Sequence, residues 1–237
     1  MDWQQRLYQG YVTTGQASTP QKPADLVNPL HLQIIQRFVP KAKDTRVLDL
    51  ACGNGRLVHN LKSRGYARVK GVDFSEQQVA VAHAWGITEV TCQDVVGFLL
   101  DQPDVSWDVV FAMDFLEHLN KQVLMDLVDQ VRRVLVPGGI FIVQVPNGSG
   151  LFGASVLYGD LTHVQAFTDR SLSQLMNACG FGSVKSHELK PVVHGVKSLL
   201  RYVVWQVLTV PMRLLGLAET GNSRVILSRN ILSVAVK

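Results

Sequence analysis

Cysteine is scarce in this 237-residue chain: Cys52, Cys92 and Cys179 are the whole complement. Three thiols cannot build the paired framework of a small secreted scaffold, so they read as buried thiols of a reduced compartment. The opening Met1-Asp-Trp-Gln-Gln-Arg6 lacks the apolar core of a secretion signal. An unbroken apolar run of bilayer length is missing too. Val192–Leu217 comes nearest, but Lys197, Arg201, Gln206, Pro211 and Arg213 interrupt it. Internal repeats and low-complexity tracts are absent. These absences predict a cytoplasmic protein, at most peripheral at the inner membrane face.

Acidic side chains are nearly missing from the C-terminal segment. From Pro191 onward six cations face Glu219 alone, a net of +5, so the first 190 residues carry −1 of the overall +4. The basicity is local. It does not form the groove of Lys, Arg and interleaved aromatics expected of a nucleic-acid binder, and no nucleic-acid partner is expected. With 47% hydrophobic and 18% charged residues the chain can bury a substantial α/β core.

Periodicity alternates strands with helices. Arg46–Leu50, Val69–Asp73, Ile87–Cys92, Trp107–Met113 and Ile140–Val145 read as strands. Between them lie helices over 56–64, after Ser75, and over 121–135, the last stopped by Pro137-Gly-Gly139. Parallel pairing with right-handed crossovers follows, and ligands of such sheets bind beyond the strands' carboxyl ends. Residues 29–39 predict a further helix. A helix over 171–179 and strands over 183–189 and 230–236 complete the pattern. Four segments result: an N-terminal cap or lid (1–40), a core (41–190), a hydrophobic basic helical insert (191–222) and a C-terminal strand of the core sheet (223–237).

The first strand runs into Asp49-Leu-Ala-Cys-Gly-Asn-Gly55, and Asp73 ends the second. Glycines at such a turn admit a ligand to the backbone, helix N–H groups point at it, and an acid waits for a ribose. A dinucleotide fingerprint would need a third glycine, where Val58 stands. Asp49 would repel a pyrophosphate and attract a cation. An NAD-dependent oxidoreductase is therefore the weaker of the two readings.

The run Asp49–Gly55 resembles motif I of class I S-adenosylmethionine (SAM) dependent methyltransferases, with Ala51 at that motif's first glycine. Four further segments follow in the family's order: Asp73-Phe74; Gln93-Asp94-Val95; Met113-Asp114 with Glu117-His118; and Leu135-Val-Pro-Gly-Gly139. Asp160-Leu-Thr-His163, Cys179-Gly-Phe181 and the opening Leu7–Val12 are similar to a small-molecule subgroup that includes ubiquinone-biosynthesis O-methyltransferases and surface-polysaccharide methyltransferases. The resemblance implies a Rossmann-like, seven-stranded, mostly parallel sheet with helices on both faces and a reversed last strand. It implies SAM held by Asp49, Ala51, Cys52, Gly53, Asn54, Gly55, Asp73, Phe74, Gln93, Asp94, Val95, Met113 and Tyr11. Asp73 would take the ribose, Gln93 and Asp94 the adenine amino group, and Phe74 and Val95 the ring faces. Tyr8 and Tyr11 are either a lid or anchors of the N-terminal helix.

Methyl transfer to a hydroxyl calls for a base near the acceptor. His163, in the loop after the fifth strand, is the first candidate, with anchoring of its loop as the competing role. His118 is the second, although ordering of the fourth strand's exit also accounts for it. Asp114, Glu117 and His118 could alternatively hold a divalent cation, of a kind that accepts imidazole, but the expected chemistry uses no metal. The acceptor is a small molecule: a sugar, a quinone precursor or a lipid-associated metabolite. The alternative is a SAM-binding regulator without turnover. For the insert 192–217, a helix covering the pocket or packing in a homodimer is favoured over an interfacial helix on a membrane; Pro211 should end or kink it.

Overall fold

The computed structural model describes residues 6–8, 10–12, 14–17, 19–221 and 223–237. The expectations placed on Met1–Gln5, on Gln9 and on Asn222 therefore lie outside the described residues. A single sheet of seven strands organises the chain: β1 (Arg46–Leu50), β2 (Arg68–Asp73), β3 (Val90–Cys92), β4 (Trp107–Met113), β5 (Leu135–Pro146), β6 (Ser183–Glu188) and β7 (Asn230–Val236), in the spatial order β3-β2-β1-β4-β5-β7-β6. β1 to β5 pair in parallel. β7 runs antiparallel to both β5 and β6, as the reversed last strand required.

The apolar run of β1 is buried on both faces, as a central parallel strand must be. Leu48 and Leu50, with Val110 and Ala112 of β4, enter one core, whereas Val47, Val109 and Phe111 enter the other. Helices cover each face: α1 (Pro29–Phe38), α2 (Arg56–Ser63) and α3 (Glu76–Ala84) on one, α4 (Val95–Leu100), α5 (Lys121–Val134) and α7 (Asp169–Ala178) on the other. Asn28, Ser75, Asp94, Asn120 and Thr168 cap five of them through side-chain oxygens. The short α6 (Gly153–Leu157) follows β5, and α8 (Val196–Thr220) joins β6 to β7.

From β1 the chain steps outward to β2 and β3, then returns to β4 and steps the other way. The carboxyl ends of β1 and β4 therefore flank the switch point where a ligand crevice opens.

Four local expectations are corrected. The third strand is only Val90–Cys92, because residues 87–89 serve the turn out of α3. Asp94 and Val95 begin a short helix that alternation did not reveal. Pro137-Gly-Gly139 does not precede β5 but forms an irregularity inside it, where the register against β4 slips between Trp107 and Val109. Pro211, expected to end or kink the insert helix, does not end it: the helix continues to Thr220, with Gly221 as a left-handed cap. The carbonyl that Pro211 deprives of its donor belongs to Val207, an exposed residue, so water can take its place.

Candidate active site

The crevice is a cavity of about 330 Å³. Its floor is the β1–α2 turn, where three residues take left-handed backbone: Ala51 at φ +52°, Gly53 at +55° and Gly55 at +73°. At Gly55 a side chain is also excluded by space, since a Cβ would lie 2.9 Å from Val90 Cγ2. Gly55 therefore shapes the turn rather than lining the cavity. Gly53 N–H donates to Asp73 Oδ2 at 2.7 Å, and Ser75 N–H to its Oδ1 at 2.9 Å. The two hydrogen bonds fix the carboxylate at the crevice edge, with lone pairs left over for a ligand.

Asp49 is 2% exposed and lies under this turn. Desolvation, reinforced by the Asp73 charge, pushes its carboxyl well above the usual carboxylate range. Asp73 is raised too, chiefly by burial. Two carboxyls facing one cavity, both reluctant to ionise alone, are what a cationic ligand would relieve. Burial and these two acids also keep the Cys52 thiol protonated, so it serves as a filler of the turn and not as a nucleophile.

Above the turn, aromatic rings form a wall. Tyr8 meets Phe74 edge-on at 5.0 Å and lies 5.5 Å from Tyr11. Tyr11 donates its hydroxyl to Asp160 Oδ2 at 2.7 Å, tying its segment to the loop between α6 and α7. The N-terminal segment thus roofs the cavity, with both tyrosines on its lining.

The far wall is His118. Burial, with the neighbouring His163, lowers its pKa to about 4, so it is a neutral imidazole at neutral pH. Its Nδ1 is 2.9 Å from Thr162 Oγ1, and Thr162 donates in turn to Asp160 Oδ1 at 2.6 Å. His163 stands behind it, ring centroids 4.6 Å apart. His163 Nδ1 is held by the carbonyls of Val156 and Leu157 at 3.1 and 3.2 Å, the hydrogen bonding that an anchoring role requires. It does not line the cavity.

Glu117 is 1% exposed, and neither carboxylate oxygen has a hydrogen-bond partner among the described residues. Desolvation, with Asp114 nearby, raises its pKa well above normal. One oxygen is 3.9 Å from His163 Nε2. Ligand atoms of Glu117, His118 and His163 lie within 4.8 Å of one another, and this trio could hold a divalent cation. Asp114, placed in such a set on sequence grounds, is not in it: Gln144 and Asn230 occupy its carboxylate.

Of the residues expected around SAM, the cavity gathers Tyr11, Asp49, Ala51, Cys52, Gly53, Asn54, Asp73, Phe74 and Met113. Three expected residues are turned elsewhere: Asp94 caps α4 through Gly97 N–H, Gln93 reaches Asp101, and Val95 is buried in the core. Asn28, His31 and Gln78 line the cavity unanticipated. Asn28-Pro29 is legible as a helix start, but nothing in sequence brings that start to the crevice.

Residues 47–139 match the methyltransferase domain family. The ubiquinone biosynthesis O-methyltransferase of Xylella fastidiosa (strain 9a5c) is 32% identical over 133 residues, 54% of this chain and 52% of that protein. The 27-O-demethylrifamycin SV methyltransferase of Amycolatopsis mediterranei is 28% identical over 158 residues, 63% of this chain and 56% of that protein. The chain thus spans about half the length of the curated relatives it matches. A SAM dependent methyltransferase from Archaeoglobus fulgidus has the same fold, with a TM-score of 0.68 at 22% identity over the whole of both chains.

Proposed function

We propose that the chain, whose residues 47–139 match the methyltransferase domain family, transfers a methyl group from SAM to a hydroxyl oxygen of a small molecule. The observation that carries this reading is the pair of buried acids, Asp49 and Asp73, at a glycine turn that opens on the β1–β4 switch point. The cofactor, when bound, supplies a methyl group made electrophilic by its sulfonium. Asp49 lies where a cationic amino-acid portion can be neutralised, and Asp73 where ribose hydroxyls can donate. Phe74 and Tyr8 offer apolar surface to the base.

The remaining work is positional. Tyr11, Phe115 and His118 line the cavity where an acceptor would be held beside the bound cofactor, and holding the two in alignment would supply much of the acceleration. His118, whose Nδ1 is engaged by Thr162, would take the acceptor's hydroxyl proton on its other ring nitrogen. His163 packs behind it, its ring centroid 4.6 Å away, and supports the position of the His118 ring. The relatives' printed names, a quinone-pathway and an antibiotic O-methyltransferase, support oxygen as the acceptor atom and leave the acceptor as a sugar, a quinone precursor or a lipid-associated metabolite.

Calorimetric titration with SAM and with NAD tests the ligand. Saturable SAM binding with none of NAD is expected; the reverse overturns the reading. Formation of S-adenosylhomocysteine with a panel of catechol, sugar and lipid alcohols tests turnover. SAM binding with no product from any of them would leave a regulator in place of an enzyme.

A further inference from the structure

The helix α8 is inside out. At 100° per residue, Ser198, Tyr202, Gln206, Thr209 and Arg213 share one face, and this polar face is the buried or half-buried one. Arg213 is paired with Glu188 at 2.7 Å and donates to Val225 O, while Tyr202 overlies a cavity beside α1. The opposite face carries Val196, Leu200, Val207, Leu208, Leu214 and Leu215, exposed by 60–85%. Of the two packings expected of this helix, over the pocket or in a homodimer, its apolar stripe makes neither within the chain: it faces outward.

We infer that this outward face docks on an anionic lipid surface and turns the cavity's edge of the sheet toward the bilayer, so that the acceptor is a bilayer-resident hydroxyl compound. Only the last clause rests on the proposed methyl transfer. The exposed apolar arc covers roughly half the circumference of a helix about 37 Å long, broader than the stripe that packs against a single partner helix. Lys197 and Arg201 line one flank of that arc, and Glu219 is the sole acid after residue 190. That arrangement, apolar ridge with basic flank, complements acidic headgroups. Among the described residues no helix is long and apolar enough to cross a membrane, so the contact lies in the interface plane.

Two further apolar side chains are exposed near the end of β5. Exposed Leu151 and Phe152 adjoin the strap after α8, where Leu151 N–H bonds Leu227 O, and Leu227 N–H bonds Glu188, the partner of Arg213. The placement is also directional. β6 ends and β7 begins at the edge where β5 ends, since Glu188 pairs with Ile231 and Pro146 with Asn230. α8 therefore projects from the carboxyl edge of the sheet, the edge on which the cavity opens.

Co-sedimentation of the full chain with vesicles tests this, using phosphatidylcholine alone and phosphatidylcholine mixed with phosphatidylglycerol. Binding to the mixed vesicles that falls with added salt is expected. Lys197→Ala and Arg201→Ala should each weaken it about fivefold. Leu200→Asp with Val207→Asp should abolish it while circular dichroism and SAM affinity stay unchanged, because both side chains point away from the body. Absence of vesicle binding overturns the inference, as does binding that these variants leave intact. A dimer in light scattering that the double Asp variant dissociates, with no vesicle binding, would assign the face to a second copy. Vesicle binding by a chain that never binds SAM would retain the docking surface and reject the methyl-transfer reading; SAM turnover without vesicle binding would do the opposite.

Discussion

Asp49 sits in the first strand where a core residue would ordinarily be apolar, and burial pushes its carboxyl well above the usual carboxylate range. A cationic ligand favours the charged form, so below the raised pKa binding must release a proton. The enthalpy of SAM binding in that acidic window should therefore vary with the ionisation enthalpy of the buffer, and affinity should fall as pH drops below the raised pKa of the free protein. Asp49→Asn removes both effects and should weaken SAM by about 2 kcal/mol or more, some thirtyfold; an unchanged affinity would remove Asp49 from the site. His118 makes a separate demand. With its pKa lowered to about 4, the imidazole stays neutral well below pH 6.5. The acid limb of kcat/KM should then fall near pH 4 and not near 6.5. His118→Asn should cost about a hundredfold in kcat with SAM affinity nearly intact. Asp49 was legible in sequence because an acid inside a buried strand has few other reasons to exist. His163 was harder: a loop histidine after β5 could face the cavity or its own loop, and only the carbonyls of Val156 and Leu157 show which nitrogen is engaged.

The turn between β1 and α2 shows how tightly an element is determined. Gly55 has both a left-handed φ and no room for Cβ, so Gly55→Ala should destabilise by about 2 kcal/mol, from left-handed strain plus displacement of Val90. In a chain of this size that is a melting point lower by about 4–8 °C. Gly86→Ala, at φ +76° with nothing within 4 Å, carries the strain alone and should cost about half as much. Calorimetric melting of both variants distinguishes space from dihedral. The long elements were readable for a related reason. β1, β4 and β7 announce themselves as apolar runs, and the amphipathic α5 by its periodic Leu124, Leu127, Val128 and Val131. The shortened β3 and the short helices α4 and α6 were not, because too few residues contribute to a period. Orientation escaped as well. The wheel of α8 predicts which residues share a face but not which face meets the body, and burial of a stripe of Ser, Thr and Arg runs against the usual expectation.

At the scale of the molecule, the N-terminal segment, the end of β2 and the loop after α6 are three distant stretches of chain joined at one cavity, by Tyr8 on Phe74 and Tyr11 on Asp160. A ligand there braces all three, and its binding is folding free energy. SAM at a hundred times its dissociation constant should add about 2.7 kcal/mol, raising the melting point by about 5–11 °C, whereas NAD at the same concentration should leave it unchanged in differential scanning calorimetry.

The placement of β7 between β5 and β6 has a consequence for the order in which the molecule can be made. β6 leaves the ribosome before β7, yet its ladder partner in the sheet is β7. While 183–229 are being synthesised, β6 and the outward apolar face of α8 hang from a five-stranded sheet whose β5 edge is still open. The sheet closes only when Asn230–Val236 arrives and slots between the two. β7, made after both of its neighbours, is the strand that fastens β6 to the sheet, and until it arrives the nascent chain carries an unpaired strand edge and an unpartnered apolar helix at the same time, the stage at which it most needs protection from its neighbours.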